Sequence, residues 1–228
     1  STLFLHTGAT NLIRPSVGSW VTYGLGTENQ NLPGFVTLQP SGSKGGPRNH
    51  SNAFLPAVFQ GTAIGKAGQP ASEATLRNAV NTSLPRTEQE RRFRLLQKLN
   101  AAQLASRPQD DQLEAVAESF ELAWRMQMNA PEVFDLAGED EATKRLYGIG
   151  EKHTDDFGKQ CLMARRMAEA GVRYIQVNYA DESTNPRWDQ HSNMPKHMDH
   201  ARATDRPVAG LLADLKRRGL LEETLVWW

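Results

Sequence analysis

The sequence predicts an α/β fold, a mostly parallel sheet flanked by helices, and two observations carry that expectation. First, the period of the apolar residues switches twice after residue 155. A helical pattern through Cys161, Leu162, Arg165 and Ala168 ends at Gly171 and gives way to the run Val172-Arg-Tyr-Ile-Gln-Val-Asn-Tyr; a long amphipathic stretch then ends at Gly219 before Thr224-Leu-Val-Trp-Trp. Strand, helix and strand in that order make a crossover unit, which joins parallel strands with a right-handed connection. Second, residues 86–150 read as helices only, so a helical insertion is expected within a single domain spanning 1–228.

The elements follow in order. Leu3 to Leu5 is a short apolar run that opens in mid-element, and turn-rich sequence leads from it to a strand at Gly34 to Leu38. Residues 40–70 are dense in Gly, Pro, Ser and Asn and read as one long loop, which in a compact domain is either functional or disordered. Thr87 with Glu90 has the spacing of a capping box, and Phe93, Leu96, Leu99 (or Asn100) and Leu104 mark the buried stripe of a helix to about Ser106. Asp110 or Asp111 caps the next helix, with Leu113, Val116, Phe120 and Trp124 on its apolar face and Pro131 at its end. A shorter helix covers Glu141 to Tyr147, and Asp155 or Asp156 opens the one that stops at Gly171, the position after a helix where a left-handed residue is favoured. Trp227 and Trp228 end an apolar strand with no turn residue behind them, so the domain is expected to be incomplete.

Composition narrows the function classes. Lys plus Arg and Asp plus Glu balance at 26 each, so no overall field favours nucleic acid, and none is expected as a partner. Cys161 is the sole cysteine and falls on an apolar helical face, where it reads as a small buried hydrophobe. No apolar run approaches the ~20 residues that span a bilayer. Ser1 begins no signal peptide, but a cut N-terminus makes that uninformative about the compartment.

Asp189 and His191 are the sharpest candidates for chemistry. They stand just past the carboxyl end of an expected parallel strand, where open α/β sheets collect ligands, and a carboxylate with an imidazole is a common donor pair for a divalent ion. The structural alternative is an Asp that caps the following helix beside a solvated His. His197 and His200 add a second imidazole pair on one helical face, as possible metal or substrate groups or as packing residues. In the Gly-rich segment 41–50, Lys44, Arg48 and His50 stand among Gly42, Gly45 and Gly46, so cations and free backbone N–H groups could cradle an anion; the alternative is an ordinary loop. Gly24 and Gly26 are a lone G-x-G without the third glycine of a dinucleotide site, and there is no G-x-S-x-G elbow. The run Arg91, Arg92, Arg94, Lys98 shares its helix with Glu88 and Glu90 and reads as a solvated face.

Three segments carry a resemblance: Arg14-Pro-Ser-x-Gly-Ser-Trp-Val-Thr-Tyr-Gly-Leu-Gly-x-Glu-Asn at 14–29, Phe54-Leu-Pro-Ala-Val-Phe-Gln-Gly-Thr at 54–62, and Trp188-Asp-x-His with the stretch to Trp228. With them the chain resembles the bacterial domain of unknown function 1501 family, a sulfatase-like and alkaline-phosphatase-like group. The resemblance implies an alkaline-phosphatase-like fold and a metal-dependent hydrolase of small-molecule or carbohydrate phosphate or sulfate esters, exported to the periplasm in its full-length form. It sets Asp189 and His191 on one of the divalent metal ions, although the superfamily's spacing is usually wider than Asp-x-His. Phe4-Leu-His-Thr-Gly is similar to the segment after the superfamily's nucleophile, which implies that the nucleophile lies upstream of Ser1 and further metal ligands beyond Trp228. The 228-residue chain alone is then expected to be inactive. A non-catalytic binding or scaffold protein that keeps the fold is the alternative.

Overall fold

The computed structural model describes residues 2–74, 83–107 and 111–228. Three short parallel strands form its sheet, β1 (Phe35–Leu38), β2 (Thr62–Ile64) and β3 (Tyr174–Val177), in the order β2-β1-β3. Val36 stands opposite Thr62 on one side and Ile175 on the other, and Leu38 opposite Ile64 and Val177. This register puts Val36, Leu38, Ile64, Ile175 and Val177 on one face, because successive side chains alternate across a strand. Helix α6 (Asp155–Glu169) covers that face with Met163, Ala164 and Met167. Its other side carries Phe157, Cys161 and Leu162 against Tyr147, Val208 and Leu211, so α6 is packed between the sheet and α7 (Lys196–Arg217). Each fully buried Leu, Met or Phe contributes roughly 1.5–3 kcal/mol, which makes α6 the chief anchor of the domain.

The opposite face is covered at its amino end by α2 (Val17–Leu25), where the Phe35 ring meets Tyr174 edge-on with centroids 5.0 Å apart and lies under Gly18. A short helix α1 (Thr2–Thr7) accounts for the first apolar run. Between β2 and β3 come α3 (Arg86–Ser106), α4 (Asp111–Phe134) and α5 (Glu141–Leu146). Phe93, near the start of α3, stacks on Trp124 in the second half of α4 at 4.8 Å, so the two helices fold back on each other. No described residue of α3 is buried; its inner stripe of Phe93, Leu96, Asn100 and Leu104 is only half-covered, and Leu99 is exposed.

Several expectations change. Residues 224–228 hold no strand, and Leu225 is 94% exposed. β-branched and aromatic residues supply propensity, but a strand exists only where a neighbour takes its hydrogen bonds, and none of the described strands pairs with this segment. The parallel crossovers instead run from β1 to β2 and from β2 to β3. α3 begins at Arg86 with Pro85 in the N-cap position, so Thr87 lies inside the first turn and caps nothing. α4 continues through Pro131 to Phe134, because Val133 and Phe134 pack onto the sheet's core and the carbonyls of Glu132 and Val133 accept from Arg166. Asp110 lies outside the described residues. Val116 and Phe120 are about half-exposed rather than on a buried face. The segment 40–70 holds β2 and two 3₁₀ turns, Gly46–His50 and Ala57–Phe59. No helix among the described residues is long and apolar enough to cross a membrane.

Candidate functional site

All three strands point the same way, so the chain leaves each of them at one edge of the sheet. From β1 it passes through Gln39, in a left-handed conformation at φ 47°, into Ser41-Gly42-Ser43; from β3 it passes into the 178–195 loop. The two loops meet there. Glu182 accepts from the Gly42 N–H at 2.5 Å and from Ser43 Oγ at 2.5 Å, and Asn178 Nδ2 donates to Thr37 Oγ1 and Leu38 O. Beneath them the buried Gln160 of α6 donates to Gln39 Oε1 at 2.8 Å, and Gln39 Nε2 donates to Gln69 O.

Asp189 and His191 lie on the second loop. His191 Nε2 is 2.8 Å from Asp189 Oδ1, and the two side chains are 78% and 58% exposed, His191 the more so. Asp189 does not cap α7, whose first turn follows Pro195, so the helix-capping alternative is not realised. The pair's backbone is held from within the loop: the Asp189 N–H donates to Pro186 O and the His191 N–H to Asn185 Oδ1. Trp188, just before them, sits at φ 67°, a conformation that costs a bulky side chain on the order of 1–3 kcal/mol. Its ring lies against Tyr179 and His200, with centroids 6.1 and 5.6 Å away.

His197 and His200 are engaged. His197 turns Nδ1 to Met194 O and Nε2 to Trp188 O, at 3.0 and 3.1 Å, so neither nitrogen is presented to an ion. His200 shares hydrogen bonds with Tyr179 Oη at 3.1 Å and Gln190 Nε2 at 3.4 Å, and burial, then the charges of Arg187, His197 and Lys196, lower its pKa. Among the described residues no three His, Cys, Asp or Glu side chains come together as a metal site. Asp189 and His191 fit two positions of a ligand set, and a catalytic ion needs at least three.

Lys44, Arg48 and His50 do not form one cradle. Lys44 is exposed, Arg48 Nη2 donates to Leu12 O, and His50 is buried at the other edge of the sheet. A Cβ on Gly61, which precedes β2, would reach both His50 Cβ and the Phe35 ring, which fixes His50 at the strands' amino ends. Burial, then the nearby His6, lowers its pKa, and burial lowers that of His6. A neutral imidazole is therefore favoured in the fold, whereas the unfolded chain takes up protons near pH 6.5. Stability should fall as pH drops below about 6.5. Thermal melts between pH 7.5 and 5.5 should show this, with a flatter profile for His50→Gln; an unchanged profile would count against the buried-imidazole account.

The sequence does not signal Gly42, Ser43 and Glu182, because the contact joins residues 140 apart. Nor does it signal Arg187, whose guanidinium lies 4.2 Å from the Tyr179 ring centroid and 3.6 Å from Asp181. Beside the loop, α7 carries an open groove of about 650 Å³ lined by Trp188, Ala201, Val208, Leu212 and Trp228, with Thr204 and Asp205 as polar groups.

A family model described as "Protein of unknown function (DUF1501)" matches residues 1–228. The chain belongs to the DUF1501 family. No curated protein and no solved structure matches it. In this DUF1501 chain Trp188, Asp189 and His191 of the quoted motif fall together in the loop after β3, and the 14–29 segment supplies α2, which covers the sheet's second face.

Proposed function

We propose that this DUF1501 chain carries part of a divalent-metal-dependent hydrolase acting on phosphate or sulfate esters. The observation that carries the reading is the convergence of the loops after β1 and β3 at the carboxyl edge of a parallel sheet, with Asp189 and His191 side by side on one of them. The ion, held by that pair with further donors, would supply a Lewis acid that polarises the ester oxygen. The chain's own residues do the rest. The left-handed turn at Trp188 orients the pair, and the apolar groove on α7 fits the organic part of an ester. An alkaline-phosphatase-like fold and an exported full-length protein belong to the same proposal.

A second reading, a non-catalytic binding or scaffold protein, is favoured by the same pair's exposure and by the hydrogen bonds that occupy His197 and His200. One assay separates the two. Release of nitrophenol from nitrophenyl phosphate and sulfate by the full-length protein should stop with chelator, and Asp189→Asn and His191→Ala should each lower it on the order of 100-fold. The 228-residue chain should be inactive, because two donors hold an ion weakly. Turnover that survives chelator, or full activity in both variants, would overturn the metal-dependent mechanism; a folded, metal-free, inactive full-length protein supports the scaffold.

A further inference from the structure

The contact between Glu182 and the loop after β1 joins a carboxylate to donors 140 residues away, over the carboxyl ends of the strands. Glu182 Oε1 takes the Gly42 N–H and Oε2 takes the Ser43 hydroxyl, so two donors, one backbone and one side chain, converge on two oxygens of one anion. This is how a loop receives a phosphoryl or sulfuryl group, whose oxygens have the same charge and spacing requirements. The seat is organised independently of Glu182. Ser41 Oγ accepts from the Ser43 and Lys44 N–H groups, Gly45 and Gly46 have φ of 93° and 55°, and Asn49 Nδ2 donates to Lys44 O. Gly42 and Ser43 are both exposed, and beyond its chain neighbours a Cβ on Gly42 would meet only Glu182 Oε1 within 4 Å.

We propose that Gly42 and Ser43 form an oxyanion-binding seat for the phosphoryl or sulfuryl group of the substrate, and that Glu182 occupies it as an intramolecular competitor until such a group displaces it. The identity of the anion rests on the ester-hydrolase reading; the competition does not. The surrounding charges suit the exchange. Lys44 is exposed next to the seat and adds a positive charge, while the neighbouring acid, Asp181, is met by Arg187. The hydrogen bond from Ser43, then that from the Gly42 N–H, holds the Glu182 carboxyl below the usual glutamate range, so near neutral pH the occupant is an anion like the ligand it would yield to. The seat is distinct from the Lys44, Arg48 and His50 combination, of which only Lys44 adjoins it.

The test measures anion binding, with no turnover and no metal. Inorganic phosphate, inorganic sulfate and acetate are titrated calorimetrically, with chelator present, into the 228-residue chain and into Glu182→Ala, Glu182→Gln and Glu182→Ala/Ser43→Ala. Emptying the seat should tighten phosphate or sulfate binding about tenfold in Glu182→Ala, less in Glu182→Gln, whose amide oxygen can still accept from Gly42, and the gain should vanish in the double variant. Three outcomes overturn the proposal: no gain in Glu182→Ala, a gain that survives loss of the Ser43 hydroxyl, or a gain for acetate alone. The first would leave Glu182 as a tether between two loops. Because chelator is present throughout, a failed hydrolase reading and a failed seat give different results: the seat can bind phosphate in a protein that never turns over an ester. Repeating the titration with phenyl phosphate distinguishes an ester seat, which accepts both, from a site for the free anion.

Discussion

Replacing Asp214 by alanine should cost about 3–5 kcal/mol of stability in denaturant titrations, the loss expected when one member of a buried ionic network is removed. The Asp214 side chain is fully buried at the foot of α7 and accepts from Tyr147 Oη at 3.0 Å, Arg217 Nη2 at 2.7 Å and Arg218 Nε at 2.9 Å. Arg165, 1% exposed on α6, brings Nε to 3.0 Å from Asp214 Oδ2 and Nη2 to 2.7 Å from Glu139. Those two contacts are ion contacts without hydrogen-bond alignment, since both nitrogens lack a hydrogen-bond partner of good geometry. In Asp214→Ala the buried Tyr147 hydroxyl loses its acceptor, and the buried Arg165 loses one ionic partner while keeping Glu139 and Glu169. Asp214→Asn keeps part of the hydrogen bonding and should lose less. Burial by itself would raise the Asp214 pKa, but the hydrogen bonds from Arg217, Arg218 and Tyr147 outweigh it and hold the carboxyl below its ordinary range; the guanidinium groups of Arg165 and Arg166 do the same for Glu139. A lowered carboxylate stabilises above its unfolded pKa, so this contribution should be complete above about pH 4.5 and lost as pH falls below it. A loss under about 1 kcal/mol, the range of surface pairs, would show that solvent reaches the network.

Gly158→Ala and Gly210→Ala should each destabilise the protein, by about 2 kcal/mol, although alanine is the better helix former by about 1 kcal/mol. A Cβ on Gly158 of α6 runs into the Tyr147 carbonyl oxygen, and one on Gly210 of α7 comes within 2.7 Å of the Leu146 carbonyl oxygen and 3.2 Å of Tyr147 Cα. These are backbone atoms of the turn that ends α5, so no side chain can swing aside. The expected fall in melting temperature is roughly 4–8 °C for a chain of this size. Both glycines press on one turn, and the double variant should depart from additivity by more than about 0.5 kcal/mol. A neutral or raised melting temperature in either single variant would mean that the turn yields freely.

Periodic, locally encoded elements were legible in the sequence. α6 was visible from its apolar spacing and from Gly171, which does take φ 82°, and β1 and β3 lie inside the expected runs. What escaped depends on partners. β2 is three residues long and is a strand because β1 takes its hydrogen bonds, so composition saw only loop. The Trp-rich run at 224–228 is the reverse case, with strand propensity and no pairing strand. The spacing of Asp189 and His191 pointed to a side-chain pair, and they do meet. The seat at Gly42 and Ser43 could not be read, because its occupant comes from the far side of the helical segment. Lys44, Arg48 and His50 are close in sequence, but a loop crossing from the carboxyl to the amino edge of a sheet carries its residues apart.

The central position of β1 sets an order of events during synthesis. Its pairing with β2 can form once about thirty more residues have emerged, but β3 arrives far later: the side-chain bond between Thr37 and Asn178 spans 141 residues. At typical translation rates that gap lasts roughly 7–30 s. The entropy of closing so long a loop grows only logarithmically, so the intervening helices burden the equilibrium little. They burden the timetable instead. Throughout the wait, one side of β1 presents unpaired N–H and C=O groups to any passing strand, and this nascent chain is open to mispairing there before the loop that holds Glu182, Asp189 and His191 exists.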